Sequence, residues 1–229
     1  MTTSPPHLHA AALRALELIA DDSVVGLGSG RAATAFIEAL GARVRAGLRV
    51  RGVATSQASA DLAQRLSIPL TTPDEIEAID IAVDGADEVD PHGNLIKGYG
   101  GALVREKIVA ASARRLVILV GPDKLVPVLG ARGKLPVEVI PFGLPWCARQ
   151  LAALGLKPKL RMREGHPYFT DNGNQVLDCG IAPLEQPAQL EQQITAIAGV
   201  VGTGLFLQMA DTVLIAHEQE VEVRERLRS

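Results

Sequence analysis

Cysteine is scarce: in 229 residues only Cys147 and Cys179 occur, and they form no CxxC pair. That argues against a disulfide framework or a thiolate metal site and leaves both thiols as reduced packing residues. The histidines, His7, His9, His92, His166 and His217, include no i, i+4 pair and no HExxH pattern, so no metal site is expected. An excess of positive charge is missing as well. The formal net charge is −3, which offers no broad basic surface to nucleic acid. Long apolar runs are also missing. No stretch approaches the roughly eighteen apolar residues of a membrane span, and MTTSPPHLHAAAL at the N-terminus has no basic segment followed by an apolar one. The expectation is a soluble, cytoplasmic protein without membrane or nucleic-acid partners.

What is present is 47% hydrophobic content, enough for one large core or two modest ones. Short β-rich apolar runs alternate with helix-length amphipathic stretches, which predicts an α/β fold. Helices are expected over 8–20, 32–45, 56–66 and 102–114. Strands are expected over 23–28, 48–54, 78–85 and 115–121. AIDIAVDG, at 78–85, is apolar enough to be covered on both faces, as in a mostly parallel sheet. From PVEVIP onward the order changes to strand 137–140, helix 144–154, strands 159–162 and 175–178, helix 188–197 and strand 200–207. This βαββαβ order predicts a ferredoxin-like α+β module, with TDNGN (170–174) as the tight turn between its central strands. A last strand, 211–217, is expected to rejoin the first sheet.

Ligands of open α/β sheets gather at the carboxyl ends of strands, where loops meet helix N-termini. GLGSGRAA places Gly28, Ser29, Gly30 and Arg31 in such a loop. It lacks the GxGxxG register and a following Lys-Ser/Thr, and reads either as a phosphate loop or as an ordinary tight turn. ATSQAS places Thr55 and Ser56 in another, where they read equally as a helix N-cap and as ligand contacts. VDGADE sets Asp84 and Asp87 at a strand end beside a glycine, an arrangement that is costly unless something uses it; taken alone, it reads equally as a pair of solvated turn residues. Then KGYGGALVREK sets Lys97, Gly98, Gly100 and Gly101 just before a helix carrying Glu106. Glycine backbone and Lys97 form a donor pocket for a developing oxyanion, and Glu106 is the candidate base. Taken alone, the REK triplet also fits a solvated helix face with local ion pairs.

VDGADEVD, LIKGYGGALVREKI, PVEVIPFG and TDNGNQVLD, in this order, resemble ribose-5-phosphate isomerase of the type A family over essentially the whole chain. The resemblance implies a Rossmann-like catalytic domain over 1–129 and 208–229, interrupted by the ferredoxin-like domain over 130–207. It also implies a homodimer or larger homo-oligomer, with a sugar phosphate as substrate. The implied reaction interconverts ribose 5-phosphate and ribulose 5-phosphate through a cis-enediolate, without metal or organic cofactor. By matching positions, Glu106 is the general base, Asp84 opens the ring and moves hydroxyl protons, and Asp87 binds sugar hydroxyls. Lys97 with the amides of Gly98, Gly100 and Gly101 stabilises the enediolate, and Lys124 lies near the phosphate. Three positions depart from the family. The loop reads GSGRA where GTGST is usual, so Arg31 and Ala32 stand for two hydroxyl residues. The N-terminal helix offers His9 or Arg14 where a lysine is common, and Tyr99 stands where glycine is usual, which could narrow the pocket. Two other readings share these motifs: a divergent paralogue that isomerises another aldose phosphate, signalled by Arg31 and Tyr99, and a non-catalytic sugar-phosphate binder. Binding alone requires no base, so Glu106 argues against the second.

Overall fold

The computed structural model describes residues 6–218 and 220–226. In chain order the elements begin with α1 (Pro6–Leu16), β1 (Ser23–Leu27), α2 (Arg31–Arg45), β2 (Val50–Ala54), α3 (Gln57–Arg65) and β3 (Ile81–Gly85). Two-residue strands β4 (Glu88–Val89) and β5 (Leu95–Ile96) precede α4 (Leu103–Ser112), β6 (Leu116–Val120) and β7 (Lys134–Val139). There follow α5 (Leu144–Ala153), β8 (Lys157–Leu160), the ribbon β9 (Met162–Arg163) and β10 (His166–Pro167), and β11 (Gln175–Gly180). The chain closes with α6 (Pro187–Thr195), β12 (Val200–Thr203), β13 (Leu205–Phe206), β14 (Thr212–Ala216) and β15 (Val221–Glu225). It divides into two compact units: one takes in the chain up to Ala86, then Arg105–Lys124 and the chain from Met209, and the other takes in Asp87–Val104 and Leu125–Gln208.

The first unit is built on a six-stranded sheet in the order β15-β14-β6-β3-β1-β2. All its pairings are parallel except β14 with β15. The runs SVVGL, LVILV and TVLIA are buried at every position, as a sheet covered on both faces requires. Phe36, Ile37 and Leu40 of α2 and Ala11, Ala12 and Ala15 of α1 share a core with Val25, Leu27, Val83, Val117 and Leu119. From β1 the chain steps to β2 on one side and to β3 on the other, so the winding reverses between β1 and β3. Doubly wound sheets hold ligands at such a reversal, beyond the carboxyl ends of the strands. The first helix is shorter than expected, ending at Leu16, and Asp22 takes a positive φ of 62° before β1.

The second unit carries a four-stranded antiparallel sheet in the order β12-β7-β11-β8. With α5 and α6 it reproduces the expected βαββαβ order. Its core joins Leu135, Val137 and Val139 of β7 to Cys147, Leu151, Leu177, Cys179 and Ile194. Both cysteines are free and buried, and burial pushes the Cys179 thiol up to about 12. TDNGN is a turn, with Gly173 at φ 75° and Thr170 N–H donating to Asn174 O at 2.8 Å. It enters β11 after the unforeseen ribbon β9–β10. The run 200–207, expected as one strand, is two. Strand β12 pairs with β7, whereas β13 joins β5 and β4 in a separate three-stranded sheet. The break falls at Gly204, where a Cβ would stand 2.3 Å from Lys97 O. This small sheet ties residues 87–104 to the same unit as the ferredoxin-like module.

Candidate active site

On the first unit, the loop after β1 and the end of β3 are built to touch. A Cβ on Gly28 would stand 2.3 Å from the Asp84 carboxyl, so only glycine lets that side chain approach. Asp84, 4% exposed, accepts from Ser29 N–H at 3.1 Å and Gly85 N–H at 2.7 Å. The loop rests on a cluster of hydroxyls. Ser29 Oγ lies 2.8 Å from both Thr55 Oγ1 and Ser56 Oγ. Thr55 donates to Leu27 O at 3.0 Å, and Ser59 donates to Gly28 O at 2.6 Å. Ser56 is also the N-cap of α3, accepting from Ser59 N–H at 3.2 Å. Of the two readings of ATSQAS the N-cap is observed, and the same residue also braces the loop through Ser29. Ser59 was not foreseen. Its signal is the Ser-x-x-Ser spacing, which puts N-cap and N3 hydroxyls on the same side of the first turn.

Gly30, with φ 86°, precedes α2, whose first residue is Arg31. Arg31 is exposed at the end of a helix where backbone N–H groups favour an anion. Lys124 stands in the short turn after β6, its ammonium 3.5 Å from Asp123. Glu106 lies in the first turn of α4 and is 5% exposed. His9 is exposed on α1, and Arg14 pairs with Glu17.

On the second unit, Lys97 follows β5 directly. It is 3% exposed, and its ammonium lies 5.5 Å from the centre of the Phe206 ring. Gly98 and Gly101 have φ of 98° and 94°, and Gly101 N–H closes a turn onto Gly98 O at 3.0 Å. Of the three glycine amides expected to serve as oxyanion donors, that of Gly101 is thus taken up by the turn itself. Asp87 accepts from Tyr99 N–H at 2.9 Å. Tyr99 turns its ring into the unit, with its hydroxyl donating to Lys134 O at 3.2 Å and the Lys134 ammonium 4.1 Å from the ring centre. Burial pushes this phenol well above its ordinary range. The tyrosine in place of glycine therefore packs against the module's core instead of standing over the glycine turn.

The first unit thus carries two buried carboxylates, Asp84 and Glu106, and a glycine loop at a helix N-terminus, and the second carries a buried ammonium, Lys97, beside a glycine turn. Carboxylates shielded from water suit proton transfer, and a buried cation beside backbone amides suits a developing oxyanion. Among the described residues no group of three or more His, Cys, Asp and Glu could hold a metal ion.

Residues 51–220 match the model of a family described as ribose 5-phosphate isomerase A (phosphoriboisomerase A). The chain is 52% identical over 221 residues to ribose-5-phosphate isomerase A of Thermomicrobium roseum, covering 96% of this chain and 93% of that protein. It is 49% identical to the protein of the same name from Gloeobacter violaceus, covering 93% of each. Among solved structures, ribose 5-phosphate isomerase A of Methanocaldococcus jannaschii superposes with a TM-score of 0.91 at 38% identity, over 96% of this chain and 98% of that one. A D-ribose-5-phosphate isomerase in complex with phospho-erythronic acid superposes with a TM-score of 0.93 at 39% identity, over the same shares.

Proposed function

The chain belongs to the ribose 5-phosphate isomerase A family, and on that premise we propose how its residues interconvert D-ribose 5-phosphate and D-ribulose 5-phosphate. Asp84 assists ring opening, which leaves an aldehyde at C1 and a hydroxyl at C2. Glu106 removes the C2 proton. The C–H electron pair becomes the C1–C2 double bond, and the carbonyl pair moves onto the C1 oxygen. Lys97 and the amides of Gly98 and Gly100 stabilise the enediolate oxygens while the hydroxyl proton passes from O2 to O1. Glu106 then returns its proton to C1 as the carbonyl forms at C2, so one carboxylate serves as base and acid in turn. Asp87 binds sugar hydroxyls. Ser29, Gly30, Arg31, Thr55, Ser56 and Lys124 receive the phosphate.

The observation that carries this assignment is the burial of three ionisable side chains on the two motifs: Asp84, Lys97 and Glu106 are 4%, 3% and 5% exposed. Ionisable side chains are seldom this buried, and carboxylates and ammoniums shielded from water are the groups with which a site moves protons and stabilises developing charge. The test is turnover of ribose 5-phosphate by the purified chain and by Glu106→Gln, whose amide keeps the shape but accepts no proton. A loss of about 10²-fold or more in kcat is expected. Near wild-type turnover would remove Glu106 from the role.

The same reading includes a homodimer or larger oligomer working in the cytoplasm. Exposed Ile140, Phe142 and Trp146, with Phe142 99% accessible, support an assembly surface. No described helix is long and apolar enough to cross a membrane. Sedimentation of the purified chain as a monomer would sink the assembly.

A further inference from the structure

Arg161 reaches the glycine turn from far along the chain. Its Nη1 donates to Gly98 O at 3.0 Å and to Tyr99 O at 3.1 Å. The other edge of the guanidinium forks onto Asp178, with Nε 2.9 Å from Oδ2 and Nη2 2.5 Å from Oδ1. Both side chains are largely covered, at 11% and 21% exposure. Backbone tethers hold the bases of this clamp. Arg161 N–H donates to Val176 O at 2.8 Å, and Asp178 sits in the β8–β11 ladder opposite Lys159.

A trans peptide sets its C=O and N–H antiparallel, and no described peptide bond is cis. Fixing a carbonyl therefore aims the amide of the next residue. The Gly98–Tyr99 peptide is pinned at both ends, its oxygen by Arg161 and its N–H by Asp87. The Tyr99–Gly100 peptide is pinned at its oxygen alone, so its N–H, that of Gly100, points away from the guanidinium. That N–H donates to no acceptor among the described residues. Gly100 is exposed, and a Cβ built on it meets nothing within 4 Å. A cation at the carbonyl oxygen also draws density from the amide and strengthens its N–H as a donor.

We infer that Arg161, braced by Asp178, is a positioning residue for the isomerisation: it fixes and polarises the turn so that Gly100 N–H stands ready for the enediolate oxygen. This rests on the proposed assignment of the turn as the oxyanion site. A guanidinium is suited to the task because its fork holds the carboxylate while a third nitrogen remains for the two carbonyls. An ammonium cannot do both.

The test measures wild type, Arg161→Lys, Arg161→Met and Asp178→Asn on ribose 5-phosphate. It uses phospho-erythronic acid and inorganic phosphate as inhibitors. The carboxylate of phospho-erythronic acid stands in for the enediolate oxygens, and inorganic phosphate reports the phosphate loop alone. Arg161→Lys is expected to lose about tenfold in kcat and Arg161→Met about 10²-fold, in the range of a misplaced oxyanion donor, with KM held within about twofold. The inhibition constant of phospho-erythronic acid should rise by the same factor as kcat falls, and that of phosphate should not move. A residue that only staples the fold would lower thermal stability without this split. If Arg161→Met fails to fold, Arg161→Lys and Asp178→Asn decide the matter through the same ratio. Wild-type kcat in both, or an equal weakening of both inhibitors, overturns the inference. A wild-type chain inert on ribose 5-phosphate overturns the activity instead, so the two failures are distinct.

Discussion

The Gly28–Arg31 loop and the Lys97–Gly101 turn both present glycine backbone beside a strand end, yet they are held by different interactions. Behind the loop stand mainly neutral hydroxyls, Ser29, Thr55, Ser56 and Ser59, sharing hydrogen bonds with one another and with the carbonyls of Leu27 and Gly28, and one charged group, Asp84, on the Ser29 amide. Behind the turn stand charges: Asp87 on one amide and the Arg161–Asp178 pair on two carbonyls. Hydroxyls rotate and exchange donor for acceptor, and each neutral bond contributes about 1 kcal/mol. Bonds to charged groups are about twice as strong and fix direction. A phosphate that arrives and leaves with every turnover is suited to the first arrangement. A charge that exists only in the transition state is suited to the second, because donors already in place need no reorganisation.

That contrast predicts a division between kcat and KM. Lys97→Met removes a buried cation at the turn, and kcat on ribose 5-phosphate should fall about 10²- to 10³-fold, the usual loss for an oxyanion donor, with a smaller change in KM. A loss confined to KM would break the contrast at its stronger end. Arg31→Ala acts on the other region. A charge-assisted contact of roughly 1.5–3 kcal/mol corresponds to about a ten- to hundredfold rise in KM. Weaker inhibition by inorganic phosphate should accompany it, with kcat kept. Unchanged KM and phosphate inhibition would leave the loop amides and Lys124 as sufficient. The smallest effect is expected from exhaustive EDTA treatment, which should leave turnover intact because Lys97 and backbone donors supply the positive field that a metal would otherwise provide. Loss of activity restored by a divalent ion would show that the turn is not self-sufficient.

The long elements were legible because their physics is local. A short β-branched run such as LVILV fits a strand covered on both faces, and Asn-Gly in TDNGN favours a tight turn. The two-residue strands β4, β5, β9 and β10 escaped, since they are too short for periodicity to register. The split of the run 200–207 was hidden for a different reason, because it depends on a close approach of Gly204 to Lys97 O, far away in sequence. Catalytic candidates were legible as motifs, in DGADE and KGYGGALVREK. Their supports were not. Arg161 and Asp178 lie about sixty and eighty positions from the turn they brace, and no local pattern announces a hydrogen bond across that distance. Tyr99 shows the converse: its position suggested a narrowed pocket, and only the packing around Lys134 reveals where the ring goes.

Strand β15 lies along the outside of β14 with every residue of TVLIA in register. It is the one antiparallel member of an otherwise parallel sheet, and its VEVRE sequence is half-buried to exposed. Arg115 fastens its far end by donating to Glu225 at 2.9 Å and to Thr212 at 2.8 Å. An apolar strand with free amides and carbonyls along one side is a template for pairing with another chain. Here that side is occupied by a charged strand that offers an unattractive margin for further growth. A charged outer strand of this kind shields a sheet edge from pairing with another chain, and deleting 221–226 is expected to increase self-association, read by light scattering against the full chain.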